Sequence, residues 1–293
     1  MKLEEYLKIQ KDFLKFLGKS DEIEQYFLGA INSLSSASDI LLPKSYKIQD
    51  KNISDYYKYS KFVDAFKFLL CIFNYYNLDI NKFDKYFDII TRYVYNRYKL
   101  KEILINQDKY NKIALIDIDG VLADFPNYFI QKFNIKYKTN YHEYNDIPLE
   151  KRNIYKEYYR ISGEKANIPL CDNAKNLIDE LKRQHYIVIL FTNRPIHLYK
   201  NIAYDTTEWM TKNNLYCDTI LFAEDKMLDV IKRFKIDNIK LYIEDNIENA
   251  NHINNLGIKT YLKINELNIK QLYNVNKNIK MITNLNEVIE EIK

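Results

Sequence analysis

The rhythm of hydrophobic and polar positions changes once along this chain, near residue 112. Before that point apolar residues recur at helical spacing. EEYLKIQKDFLKFL brings Leu7, Phe13, Leu14 and Leu17 near one face. Ser20 suits the N-cap of a second helix, with Glu22 and Glu24 in its first turn and Ile23, Phe27 and Ile31 along it. Pro43 falls in a break, and Ser54 suits the cap of a helix through FVDAFKFLLCIFNYY. A further helix from about Asp84 aligns Phe83, Phe87, Ile90 and Val94. No convincing strand precedes residue 112. After it, short β-rich runs alternate with helical stretches: KIALIDI (112–118), YIVILFT (186–192), DTILFA (218–223), IKLYIED (239–245) and KTYLKI (259–264). Residues 266–293 read as a strand and a final helix with no identifiable chemistry. The expected division is an all-α segment over 1–108 followed by an α/β domain over 109–293.

Strands that alternate with helices imply a parallel sheet covered on both faces. Such sheets bind ligands outside the carboxyl ends of their strands, so the residues ending each run carry the chemical interest. The first run ends in Asp117-Ile118-Asp119-Gly120. Two carboxylates at i, i+2 on a buried strand are costly unless a cation relieves them, and hard cations such as Mg²⁺ take oxygen ligands. A polar strand-end turn is the plainer alternative. The second run ends in Thr192-Asn193-Arg194-Pro195, a hydroxyl and an amide placed to bond a phosphate, although Thr192 is equally suited to capping a helix. Arg194 either reaches that phosphate or pairs with a carboxylate. The third is followed by Glu224-Asp225-Lys226, where a lysine at a helix start opposes the helix dipole. The fourth ends in Glu244-Asp245-Asn246, a second acid pair, for which capping is the alternative reading. Acid pair, hydroxyl, lysine and acid pair thus follow successive strands in order.

Composition narrows the partners. Net charge is only +4, and neither part shows a basic excess: residues 1–110 carry 18 basic and 15 acidic side chains, residues 111–293 carry 26 and 25. A duplex-binding domain would show charge asymmetry, so nucleic acid is not the expected partner despite 27 tyrosines interleaved with lysines. Cys71, Cys171 and Cys217 have neither disulfide nor zinc spacing, and Cys71 sits in an apolar run that suits a buried thiol. The longest apolar run, FKFLLCIFNYY, is too short to cross a bilayer, and MKLEEYLKIQKDF lacks a signal-peptide core. No membrane association and a cytoplasmic location are expected.

The ordered set Asp117/Asp119, Thr192, Lys226 and Glu244/Asp245 resembles the four motifs of the haloacid dehalogenase (HAD) superfamily over about residues 111–265. Within it, DIDGVLADFPNYFIQKF and IEDNIENA look like the 5′(3′)-deoxyribonucleotidases and related nucleotidases, and FTNRP followed by DTTEWM is also similar to polynucleotide kinase–phosphatases. The resemblance implies a Rossmann-like parallel sheet with a small helical cap, here at about 124–180. It implies Asp117 as nucleophile and Asp119 as general acid and base. Thr192, Asn193 and Lys226 would hold the phosphoryl oxygens. Mg²⁺ would bind Asp117, the Asp119 carbonyl and Asp245, with Glu244 either a further ligand or a support for one. Asp124 either orients the loop after the first motif or is a surface acid. Phe125, Tyr128, Phe129, Tyr155 and Tyr159 are candidates to stack on a nucleobase, and Arg160 and Lys165 are candidates to face the pocket.

The helical segment is fainter: SKFVDAFKFLLCIFNYYNLDINKFDKYF then YNRYK is similar to all-α nucleotide pyrophosphatases of the dimeric dUTPase and MazG-like kind. Their ExxD acid pair reads Lys61-Phe62-Val63-Asp64 here, and the expected ExxE helix reads AINSLSSASD, so metal-dependent catalysis there is expected to be lost. A helical bundle that supports the phosphatase, or pairs two copies as a homodimer, is the plainer reading. The expected activity is hydrolysis of a small-molecule phosphomonoester, a nucleoside monophosphate in particular. The rivals are a polynucleotide-end phosphatase and a nucleotide-binding or assembly protein.

Overall fold

A computed structural model describes residues 11, 23–41 and 55–293. Leu7, Phe13, Leu14, Leu17, Ser20, Glu22, Pro43 and Ser54 lie outside the described residues, as do the side chains of Glu24 and Lys61. The chain forms two compact units, Met1–Phe87 and Asp88–Lys293.

In the first unit, α1 (Ile23–Leu41) and α2 (Asp55–Tyr75) pack together, with Tyr26, Cys71 and Ile72 buried against Phe68. Gly29 permits the approach: a Cβ there would stand 2.5 Å from the Phe68 ring. The beginning of α3 (Ile80–Ile105) adds Phe83, whose ring meets Phe73 edge-on. Asp64 faces Lys67 at 3.9 Å, both exposed. No group of metal-ligating acids occurs in this unit among the described residues.

The second unit is a six-stranded, all-parallel sheet in the order β3-β2-β1-β4-β5-β6. The strands are β1 (Ile113–Ile116), β2 (Ile187–Thr192), β3 (Thr219–Phe222), β4 (Ile239–Glu244), β5 (Thr260–Lys263) and β6 (Lys280–Ile282). Successive side chains leave opposite faces of a strand. Ile113 and Leu115 therefore join one core with Ile103, Ile189, Phe191 and Tyr242, while Ala114 and Ile116 join another with Val188, Leu190, Trp209 and Ile243. Both faces are covered, which is why the strands read as unbroken apolar runs rather than alternating ones.

The covering helices are α4 (Asn127–Tyr137), α5 (Leu149–Ile161), α6 (Ala174–Arg183), α7 (Asn201–Lys212), α8 (Lys226–Arg233), α9 (Ile247–Asn254) and α10 (Asn286–Ile292). Between β1 and α6 the chain makes an excursion that carries α4 and α5. A bridge between Ala123 and Leu170 closes its base. Its interior is aromatic: Phe129 contacts Tyr144, Tyr155 and Tyr159 with ring centroids 5.0–5.2 Å apart. The chain leaves β1 for β2 and β3 on one side and returns to β4, β5 and β6 on the other. The order therefore reverses between β1 and β4, and the crevice for a ligand opens at their carboxyl ends.

Candidate active site

Asp117 follows β1 directly, its N–H still bonded to the Ile243 carbonyl of β4 at 2.9 Å. Asp117 is 5% exposed and Glu244, ending β4, is 1% exposed. Lys226 opens α8, whose cap Asp225 accepts from the Leu228 N–H, and this start aims its ammonium inward. The ammonium donates to Asp117 Oδ1 at 2.5 Å and Glu244 Oε2 at 2.6 Å. Glu244 is saturated: it also accepts from the Tyr242 hydroxyl and from the N–H groups of Asp245 and Asn246 at 3.0 and 3.1 Å. That set of donors outweighs burial and holds its carboxyl below the ordinary range. For Asp117 burial is the larger influence. It pushes the carboxyl up to about 7 against the pull of Lys226.

Asp245, next in the chain, is pushed well above the ordinary carboxylate range by burial and by the charges of Glu244 and Asp117. Asn265, just beyond β5, donates to its Oδ2 at 2.7 Å, and Asn268 donates to its carbonyl at 2.7 Å. One oxygen from each of Asp117, Glu244 and Asp245 falls within 4.8 Å of the others. Three carboxyl groups share one ammonium here, and each offers hard oxygen donors that a divalent cation would favour in ionised form. That donor set fits Mg²⁺. Gly120 turns the chain here with φ +87°, and a Cβ on it would stand 2.0 Å from Asp245 Oδ2. Lys263 at the end of β5 secures the same turn, donating to the carbonyls of Gly120 and Val121 at 3.0 and 3.3 Å.

Asp119 faces two cations. Arg194 forks onto it, Nη2 to Oδ1 at 2.6 Å and Nε to Oδ2 at 3.0 Å, and is itself steadied by the Thr206 hydroxyl at 2.9 Å. Lys165, from the excursion after α5, reaches Oδ2 at 3.0 Å. Burial alone would raise Asp119, but Arg194 and Lys165 outweigh it and hold the carboxyl well below its usual range. Of the two roles open to Arg194, the structure takes the ion pair with a carboxylate. Thr192 is buried at the end of β2, and its hydroxyl accepts from the Arg194 N–H at 3.3 Å. The Asn193 amide is tied to the carbonyls of Ala223 and Glu224 at 3.1 and 3.2 Å.

All seven residues expected from the strand ends, Asp117, Asp119, Thr192, Asn193, Lys226, Glu244 and Asp245, line one cleft of about 540 Å³. Of the five aromatic candidates, Phe125, Phe129 and Tyr159 line it, as do Lys156, Arg160 and Lys165. Tyr128 and Tyr155 are packed in the cap interior instead, Tyr128 with its hydroxyl on Glu164. Asp124 is outside the cleft and accepts from the Asn127 amide at 2.8 Å, which ties down the loop after the first acid pair. Asn268 lies in the stretch with no chemistry identifiable from sequence, yet its amide holds the Asp245 carbonyl, as a short loop after β5 folds back toward the end of β4. The signal was present in KINELN, two amides just past an apolar strand end.

No family model matches the chain. A curated protein of Clostridium acetobutylicum named as a nucleotidase is 26% identical over 186 residues, covering 59% of this chain and 89% of that protein. Among solved structures, a HAD hydrolase from Entamoeba histolytica aligns over 62% of this chain and 97% of its own, with TM-score 0.43 and 21% identity. A haloacid dehalogenase-like hydrolase from Streptococcus pneumoniae aligns over 63% of this chain and 100% of its own, with TM-score 0.43 and 14% identity. The likeness to these proteins covers about three fifths of this chain, and in that part four successive strand ends bring two acid pairs, a hydroxyl and a lysine into one cleft. No helix among the described residues is long and apolar enough to cross a membrane.

Proposed function

We propose that the second unit hydrolyses a phosphomonoester through an aspartyl-phosphate on Asp117, with Mg²⁺, and that its substrate is a nucleoside monophosphate cleaved at the 5′ position. The observation that carries the reading is the convergence of Asp117, Asp119, Thr192, Asn193, Lys226, Glu244 and Asp245 on one cleft. The nucleotide rests on the likeness to a protein named as a nucleotidase and on Phe125 and Phe129 at the cleft wall.

In the first half-reaction a carboxylate oxygen of Asp117 bonds to phosphorus as the ester P–O bond breaks, and the departing oxygen takes a proton from Asp119. An incoming phosphoryl anion beside Asp119 raises its affinity for that proton against the pull of Arg194 and Lys165. In the second half, Asp119 takes a proton from water. The hydroxide bonds to phosphorus, the P–O bond to Asp117 breaks, and inorganic phosphate leaves. Lys226 draws Asp117 toward its ionised form against burial and faces the transferring oxygens, with Thr192 and Asn193 beside it. Phosphoryl transfer is mostly positioning and charge stabilisation, which these fixed groups supply. Asp117, the Asp119 carbonyl and Asp245 would hold Mg²⁺, and Glu244 supports them through Lys226 and the chain N–H groups. The ion would screen repulsion between Asp117 and the phosphoryl anion. The helical segment would act as a non-catalytic support, consistent with Asp64 facing Lys67.

Phosphate release from nucleoside monophosphates, sugar phosphates and phosphorylated oligonucleotides, with Mg²⁺ or EDTA, tests this. Mg²⁺-dependent release from monophosphates by the wild type and none by Asp117→Asn is expected. Release from oligonucleotide ends only would replace the substrate class, and no release by folded protein would leave a binding or assembly role.

A further inference from the structure

The cap carries cationic equipment that the transfer itself does not use. Lys156, Tyr159 and Arg160 lie at i, i+3 and i+4 of α5, hence on one face, and all three line the cleft. Among the described residues Lys156 has no hydrogen-bond or ion-pair partner. The Tyr159 hydroxyl is buried without a hydrogen-bond partner on a residue only 2% exposed. Arg160 is shared with Glu157 at 2.7 Å and stacks over Tyr199 with its guanidinium carbon 5.3 Å from the ring centre. Burial and the charges of Arg160 and Arg152 push the Lys156 ammonium below its ordinary value. Like charges crowded around a cleft, with an unsatisfied buried hydroxyl among them, are an arrangement that an anion repairs.

The transferring phosphoryl group does not need them. It has Lys226, Thr192 and Asn193 on the strand-end side, while α5 stands on the cap side. We propose that Lys156, Tyr159 and Arg160 form a subsite for a second phosphate carried by the leaving group, so that the preferred substrate is a nucleoside bisphosphate. An ammonium, a phenol and a guanidinium meet a phosphate well, since its oxygens point in several directions while those of a carboxylate share a plane. A cleft of about 540 Å³ suits a small molecule of that size. This assignment rests on the phosphatase reading above.

The test uses the full chain with Mg²⁺ and, for each base, a 5′-monophosphate, the 3′,5′-bisphosphate and a 5′-phosphorylated dinucleotide. The bisphosphate is expected to exceed the monophosphate in kcat/KM by about tenfold or more, the scale of a hydrogen bond to a charged group. Lys156→Ala should lower that ratio about tenfold, chiefly through KM, and Tyr159→Phe, which keeps the ring packing, should lower it several-fold. A ratio near one for every base, or an equal loss on both substrates in Lys156→Ala, overturns the subsite. So does a preference for the dinucleotide, which would make the second anion a phosphodiester. Absence of release from all three substrates would refute the phosphatase reading and not the subsite. Calorimetric binding of adenosine 3′,5′-bisphosphate in EDTA then decides the subsite: weaker binding by Lys156→Ala and Tyr159→Phe sustains it, and equal binding overturns it.

Discussion

Replacing Lys226 by methionine removes the one ammonium that separates two buried carboxylates. Lys226 is 2% exposed, and its charge is shared between Asp117 at 2.5 Å and Glu244 at 2.6 Å, with a carboxylate oxygen of Asp245 within 4.8 Å of theirs. The methionine fills most of the volume, so the cost is electrostatic rather than a cavity. Breaking a buried ion pair from one side costs about 3–5 kcal/mol, since the partner is left uncompensated. At a urea slope of about 2–3 kcal/mol/M that moves the midpoint by about 1–2.5 M. Trp209 is the only tryptophan of the chain and is fully buried in the second unit, so its fluorescence follows the unfolding of that unit. In EDTA the variant should show the full shift, and Mg²⁺ should recover part of it by supplying charge at the same carboxylates. Phosphate release should fall by about 10²-fold or more even with Mg²⁺ present, because the fixed cation beside the transferring oxygens is gone. A midpoint shift worth less than about 1 kcal/mol in EDTA would mean that Asp117 and Glu244 already share protons rather than charge. The account of this site as carboxylates balanced by Lys226 would then be wrong.

Gly120→Ala places a methyl 2.0 Å from Asp245 Oδ2 on a backbone at φ +87°. Half-maximal activity should need much more Mg²⁺, and a wild-type Mg²⁺ titration curve would contradict the turn's role in seating Asp245. Asn265→Ala frees Asp245 Oδ2 from its 2.7 Å bond and should weaken Mg²⁺ binding about 10-fold or more, read by calorimetry. Mg²⁺ at about 100 times its Kd should stabilise the wild type by about 2.7 kcal/mol, seen as a raised Tm. An unmoved Tm at concentrations that support turnover would speak against a resident ion.

What the chain discloses in advance follows the distance over which each feature is determined. β1, β2 and β4 are legible as apolar runs because both of their faces are covered, so no period is needed to see them. Asp117, Thr192 and Asp245 stand out because each ends such a run and the four ends follow in order, although each taken alone is open to a turn or capping reading. The partners of Asp119 are only partly legible. A carboxylate is one of two readings of Arg194 and the pocket one reading of Lys165, but nothing along the chain says that both meet Asp119, 75 and 46 residues away. Which aromatic rings of the cap reach the cleft was equally hidden. Tyr155 and Tyr159 share α5 at i, i+4, yet only Tyr159 lines the cleft while Tyr155 is closed in by Phe129, Phe133 and Tyr137.

The strand order explains why this chemistry tolerates so long a separation in sequence. Asp117 and Glu244 are 127 positions apart, but β1 pairs with β4, and Ile116 lies opposite Ile243 in their register. Their next residues are therefore forced side by side at the carboxyl edge, whatever loops intervene. That enforced meeting of acids is unfavourable alone and obliges the fold to bring a cation, which α8 does by starting with Lys226. Among the described residues Asp245 has amide donors and no ion-pair partner, and the proposed Mg²⁺ would supply the missing charge. The cap answers a different problem. It contributes no carboxylate to the acid group among the described residues and brings Lys156, Arg160 and Lys165, so in the proposed reaction the strand ends would act on the phosphoryl group and the cap would bear on what is attached to it.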